Sequence, residues 1–98
     1  MVFDVSKVSG IGEYELKQEK ERQLYYVGEK VFLVINKNTI EVRCDAELRK
    51  LLCSKYESVM ESRYFGRGGI EIVMSGQLAD DEVCDLVRLS YNLSKEAE

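Results

Sequence analysis

The 98-residue chain contains no histidine, no proline and no tryptophan. Lacking histidine, it has neither the commonest general base nor the commonest nitrogen ligand for a metal. Lacking proline, it has no sign of a linker-joined, multidomain fragment. No run approaches the ~18 consecutive apolar residues that a membrane-spanning helix requires. The opening residues MVFDVSKVSG lack a basic segment followed by an apolar one, so no secretory signal is expected. Cysteine is scarce: Cys44, Cys53 and Cys84 are odd in number and form no C-x-x-C pair. That pattern suits neither a zinc site nor a disulfide framework; it predicts reduced, partly buried thiols in a cytoplasmic protein. Serines at 54, 58, 62, 75, 90 and 94 sit in no nucleophile elbow. A non-enzymatic role, with no cofactor and no metal, is therefore expected.

What is present describes an ordinary folding unit. A chain this long buries roughly 65% of its unfolded surface, enough for one core without a staple, so residues 1–98 are read as one domain. Apolar residues make up 45% and charged residues 33%, within the range of globular proteins. The net charge of −4 is local. Acids and bases balance through residue 76, and the excess lies in Asp80, Asp81, Glu82, Asp85, Glu96 and Glu98 against Arg88 and Lys95. A net-negative chain is a poor general binder of nucleic acid, although one basic face would suffice.

Residues 1–12 are weakly patterned, and Gly10 and Gly12 interrupt any regular element. In EYELKQEKER (13–22) Tyr14 and Leu16 alternate with charges, which favours a solvated edge strand, while the i,i+4 spacing of the charges also suits a solvated helix. Leu24–Val27 and the apolar run Val31–Ile35 predict two further strands joined by a Gly28-Glu29-Lys30 turn. After an Asn36–Thr39 turn, Ile40–Cys44 alternates, with Ile40, Val42 and Cys44 inward and Glu41 and Arg43 toward water. Asp45 reads as the N-cap of a helix from Ala46 to about Tyr56, with Leu48, Leu51, Leu52 and Tyr56 on one face. Val59 and Met60 are expected to anchor ESVMESRYFGRGG (57–69), and Gly66, Gly68 and Gly69 to make a flexible loop. Ile70–Met74 predicts a strand and Ser75-Gly76 a turn. A last helix is expected from about Ala79 to Ser94, inward at Val83, Leu86, Val87, Ser90 and Tyr91, widened by Leu89 and Leu93. The order β-β-β-α-β-α, with an extra N-terminal strand from residues 13–22, argues an α+β domain: an antiparallel sheet with two helices on one face.

Three groups of residues are candidates for chemistry. Asp80, Asp81, Glu82 and Asp85 have the type to hold Mg²⁺ or Ca²⁺, but the helix macrodipole already accounts for acids there. In Arg63-Tyr64-Phe65-Gly66-Arg67-Gly68-Gly69 two guanidiniums flank two aromatics, followed by glycines that permit close backbone approach. Arginine binds phosphate in bidentate fashion and aromatics stack on bases; a plain connector whose rings complete the core explains the same residues. One ring of the Tyr25-Tyr26 pair must point outward, as a stacking platform or as a packing partner across strands.

From about residue 22 to 95 the chain resembles the MmcQ/YjbR family of small bacterial proteins. The resemblance is carried by Tyr26–Leu33 (YVGEKVFL), Ile40–Leu48 (IEVRCDAEL), Ser62–Arg67 (SRYFGR), Gly76–Glu82 (GQLADDE) and Leu89–Leu93 (LSYNL). It implies an α/β sandwich of CyaY-like, double-wing topology and a DNA-binding role, the label such proteins often carry. Three features depart from the family pattern. Its Asn-Lys corresponds to Gly66 and Arg67 here, its following His-Trp pair to Gly69 and Ile70, and its N-terminal helix is not recognisable in residues 1–21. The leading expectation is a small binding module, with DNA as its partner in weak, salt-sensitive association. The contact residues expected are Arg63, Tyr64, Arg67, Gly68, Arg43 and, from the tyrosine pair, Tyr25. The rival is a protein-interaction or self-associating module using the edge strand at residues 13–22.

Overall fold

The computed structural model describes residues 3–74 and 77–96; the turn expected at Ser75-Gly76 lies outside them. After a single 3₁₀ turn (Val5–Lys7) come β1 (Glu15–Gln18), β2 (Gln23–Val27), β3 (Lys30–Ile35), β4 (Thr39–Arg43), α1 (Ala46–Lys55), β5 (Val59–Ser62), β6 (Gly66–Val73) and α2 (Asp80–Glu96). The strands form an antiparallel sheet in the order β1-β2-β3-β4-β6-β5. Leu52 of α1 and Val83, Val87 and Tyr91 of α2 join one core with Tyr25, Leu33, Ile40, Val42, Ile70 and Ile72 of the sheet. Both helices therefore cover the same face. The α+β class and the edge position of β1 are as the sequence predicts.

The bounds of the helices follow from their ends. Asp45 is extended (ψ 166°), and its carboxylate accepts the Leu48 N–H at 2.8 Å, starting α1. Three acids occupy the first turn of α2 and Lys95 its last, both favoured by the macrodipole.

β3 does more than an apolar run implies. A register shift between Tyr25 and Tyr26 pairs Tyr25 with Leu33 and Tyr26 with Val31, leaving Phe32 as an extra residue in β3. Phe32 and Leu33 consequently both enter the helix-covered core, while Val31 and Val34 join Leu24 in a small cluster on the other side. Phe32 is fully buried and lies edge-on to Tyr91 at 5.0 Å. The bulge also ends the β3–β4 ladder at Leu33–Val42. Beyond it, the Ser90 hydroxyl of α2 donates to the Phe32 carbonyl (2.6 Å) and accepts the Arg43 N–H (2.7 Å). A helix side chain thus stands in for the next ladder bond.

Several expectations need correction. The stretch from 57 to 69 is a β-hairpin: β5 is a strand absent from the order read in the sequence, and Gly66, Gly68 and Gly69 belong to β6 rather than to a loop. Gly69 is required for packing, because a Cβ there would collide with the Val42 carbonyl and the Phe65 side chain. Met60 is exposed rather than an anchor. Leu51 is 58% exposed, since α1 rests on β5 and β6 along a narrower stripe, with Leu52 buried and Leu48, Cys53 and Tyr56 partly so. Leu89 of α2 is likewise exposed at the margin of its stripe.

Candidate site on the open face of the sheet

The face of the sheet away from the helices is where several of the singled-out residues gather, together with two buried glutamates, one of which, Glu41, alternation assigned to water. Glu41 of β4 and Glu71 of β6 are directly paired across the strands, and each is only 2% exposed. Glu41 therefore does not face solvent. Alternation correctly sends it to the face opposite Ile40 and Val42, but that face is closed over it by the turn after β5. The Ser62 hydroxyl donates to Glu41 Oε1 at 2.7 Å and the Tyr64 N–H at 2.8 Å, while the Asn36 amide donates to Oε2 at 2.9 Å. Ser62 Oγ in turn accepts the Phe65 N–H. One carboxylate thereby fixes the turn that carries Arg63, Tyr64 and Phe65.

Glu71 is held by a different set. Arg63 donates through Nε (2.9 Å) and Nη2 (2.6 Å), a bidentate pair, and the Thr39 hydroxyl donates at 2.7 Å. Burial works against the charged carboxylate, but the hydrogen bonds from Arg63 and Thr39 outweigh it and hold the Glu71 pKa below the ordinary glutamate range. The same pairing raises the Arg63 pKa. The Arg63 side chain stays largely in water while its head group reaches a buried partner.

Around this pair runs a row of two rings with a guanidinium at each end. The Arg22 guanidinium lies 5.2 Å from the Tyr64 ring centre, Tyr64 meets Phe65 edge-on at 5.0 Å, and Arg43 stacks on Phe65 at 4.8 Å. Arg22 is oriented by Glu19 (2.7 Å) at the β1–β2 turn, and Arg43 Nε donates to the Val31 carbonyl at 2.7 Å. Partial burial raises the Tyr64 pKa, keeping the phenol neutral. An open groove of about 820 Å³ lies here, bounded by Arg22, Asn36, Lys37, Glu41, Arg63 and Tyr64 and, from the β1–β2 turn, by Glu19, Lys20 and Glu21.

Of the expected contact residues, Arg63, Tyr64 and Arg43 meet on this face. Arg67 lies in the stretch of β6 where the β5–β6 register is irregular; it is exposed, and no side-chain partner for it occurs among the described residues. Gly68 is exposed, and its carbonyl and N–H are engaged by Cys44 and Phe65. Tyr25 is misplaced in the expectation. It is 8% exposed and packs in the helix-covered core against Phe32, so the outward ring is Tyr26. The β3 bulge and the helix-side position of Tyr25 decide which ring turns inward, and neither is visible in the dipeptide. Arg22, Asn36, Glu41 and Glu71 were not anticipated; the only local hint was acids at alternating positions of strongly apolar strands.

Among the described residues no helix is long and apolar enough to cross a membrane. No curated protein and no solved structure matches the chain. The YjbR family model matches residues 12–93, which span β1 through all but the last turn of α2 and contain every residue of the site just described. The bulged sheet, the two helices on one of its faces and the arginine–aromatic row on the other are thus the form that this sequence gives to a YjbR fold, and the chain belongs to the YjbR family.

Proposed function

We propose that the chain is a non-enzymatic DNA-binding module that receives a strand on the open face of its sheet. The observation that carries this reading is the row Arg22–Tyr64–Phe65–Arg43, assembled from three separate parts of the sequence beside the groove. Guanidiniums attract phosphate, and a ring on an open sheet accepts a base, so the row favours single strands over duplex. Arg67, exposed just beyond the turn that carries Tyr64 and Phe65, supplies a further cation. No step of bond making or breaking enters this reading. Its carboxylates are held by internal donors, which supports a structural use for them.

Fluorescence polarisation with a labelled single strand and the corresponding duplex, at ~50 mM salt, tests the proposal. The expected dissociation constant for the single strand is about 10–100 µM, with Tyr64→Ala weakening it by about tenfold through lost stacking. Arg67→Ala should weaken both ligands by a few-fold. Dissociation constants weaker than roughly 1 mM, unchanged by Arg67→Ala, would end the DNA reading. A second reading, a protein-interaction module, is favoured by one observation: β1 is an edge strand with all four residues exposed.

A further inference from the structure

We propose that β1 pairs with β1 of a second copy, antiparallel and centred on Leu16, joining the two sheets edge to edge. β1 is paired on one side only, by β2, so its outer row of backbone groups is unclaimed by another strand. Its side chains are sorted by face. Leu16 lies opposite Tyr25, on the helix-covered side, and Tyr14 stacks at 5.6 Å from the same ring. Glu15 and Lys17 lie opposite Tyr26 and Leu24, on the open side. Leu16 is 51% exposed and Tyr14 41% exposed, leaving apolar surface at the rim of the core.

Symmetry and charge then select the register. Two copies of one strand that pair antiparallel are related by a two-fold axis perpendicular to the sheet. Like faces stay together, so one residue must meet its own copy. Centring on Glu15 opposes two glutamates, and centring on Lys17 opposes two lysines; like charges directly opposite are destabilising. Centring on Gln18 draws in Glu19 to Glu21, outside β1, where the Glu19 N–H is already bound to the Arg22 carbonyl. Centring on Leu16 places Leu16 against Leu16, Glu15 against Lys17 twice, and Tyr14 against Gln18 twice. This register alone joins apolar to apolar on the helix side and opposite charges on the open side. Charges on an edge ordinarily discourage pairing; here their order, acid–Leu–base, admits one alignment and penalises its neighbours. The axis also sets the two open faces on the same side of the combined sheet.

The contact is short, so the dimer is weak, with a dissociation constant of about 0.1 mM. Sedimentation equilibrium of the full chain from ~20 µM to ~1 mM measures it. Lys17→Glu sets glutamates opposite each other twice and should weaken the dimer at least about tenfold. Glu15→Lys combined with Lys17→Glu restores the complementarity and should recover wild-type association. These residues are exposed, and circular dichroism with a thermal midpoint verifies that both variants fold. A wild-type chain that stays monomeric at ~1 mM overturns the proposal. So does a Lys17→Glu variant that associates as tightly as wild type, or a double variant that fails to recover. Sedimentation is run without DNA, so its outcome stands whether or not the polarisation assay finds binding.

Discussion

Glu41 shows at the scale of one side chain why charge is an unreliable guide to exposure. Three donors converge on its carboxylate, from the β3–β4 turn, from the end of β5 and from the turn after it. Glu41→Ala leaves the Ser62 hydroxyl, the Tyr64 N–H and the Asn36 amide without that acceptor. The expected loss is about 2–4 kcal/mol, read as a lower urea midpoint. Its neighbour Glu71 gives stability a pH dependence of defined sign. Its folded pKa lies below its unfolded value, so its contribution is present above roughly pH 4–5 and is lost as pH falls through the folded value. Urea midpoints from pH 7 down to pH 3 should therefore decline. Arg63→Ala should flatten that decline, because Arg63 is the main donor opposing the burial penalty; an unchanged slope would remove Glu71 as its source. The Cys44 thiol, in contrast, is held protonated: burial, with Asp45 and Cys53 nearby, pushes it up to about 11.

Among elements, the link between α2 and the sheet has the clearest consequence. Ser90 is fully buried and joins the Phe32 carbonyl to the Arg43 N–H where the β3 bulge interrupts the ladder. Ser90→Ala leaves a buried donor and a buried acceptor unsatisfied and should cost about 2–3 kcal/mol, although it removes a single oxygen from a helix. Hydrogen exchange should then quicken at the Arg43 amide more than at Val42; equal protection of both amides in the variant would refute the bridge. Much at this scale was legible beforehand. The spacing of Leu48, Leu52 and Tyr56 and the stripe Val83–Val87–Ser90–Tyr91 give both helices, and Asp45 gives the start of the first. β5 was not legible, because VMES has one buried apolar residue at its head and otherwise exposed or polar ones. Its pairing with β6, not its composition, makes it a strand.

For the molecule as a whole, the net charge of −4 conceals an uneven surface. Asp80, Asp81, Glu82, Asp85 and Glu96 lie on α2, against the helix-covered face, while Arg22, Arg43 and Arg63 are associated with the open face. Two of these guanidiniums are already tied to Glu19 and Glu71, so few phosphates can be neutralised. Polarisation titrations at several salt concentrations should give a log–log slope of about −1 to −2 for single strands, shallower than that of a strongly basic binder. A slope of zero with retained affinity would point to a ligand recognised without phosphate.

By itself the sequence determined the class of the fold, the helix-bearing stretches, the edge at residues 13–22 and the arginine–aromatic segment at 63–67. Each of these depends on local periodicity, capping or composition, which a chain carries in neighbouring residues. Tertiary structure decided which face of each strand is sealed. It turned Tyr25 inward, buried Glu41 and Glu71 side by side, converted three glycines from a loop into a strand, and brought Arg22 and Arg43 to the rings of Tyr64 and Phe65. Those outcomes depend on a bulge, a hairpin and a helix serine meeting across long separations, and contacts between distant residues leave no period in the sequence that joins them.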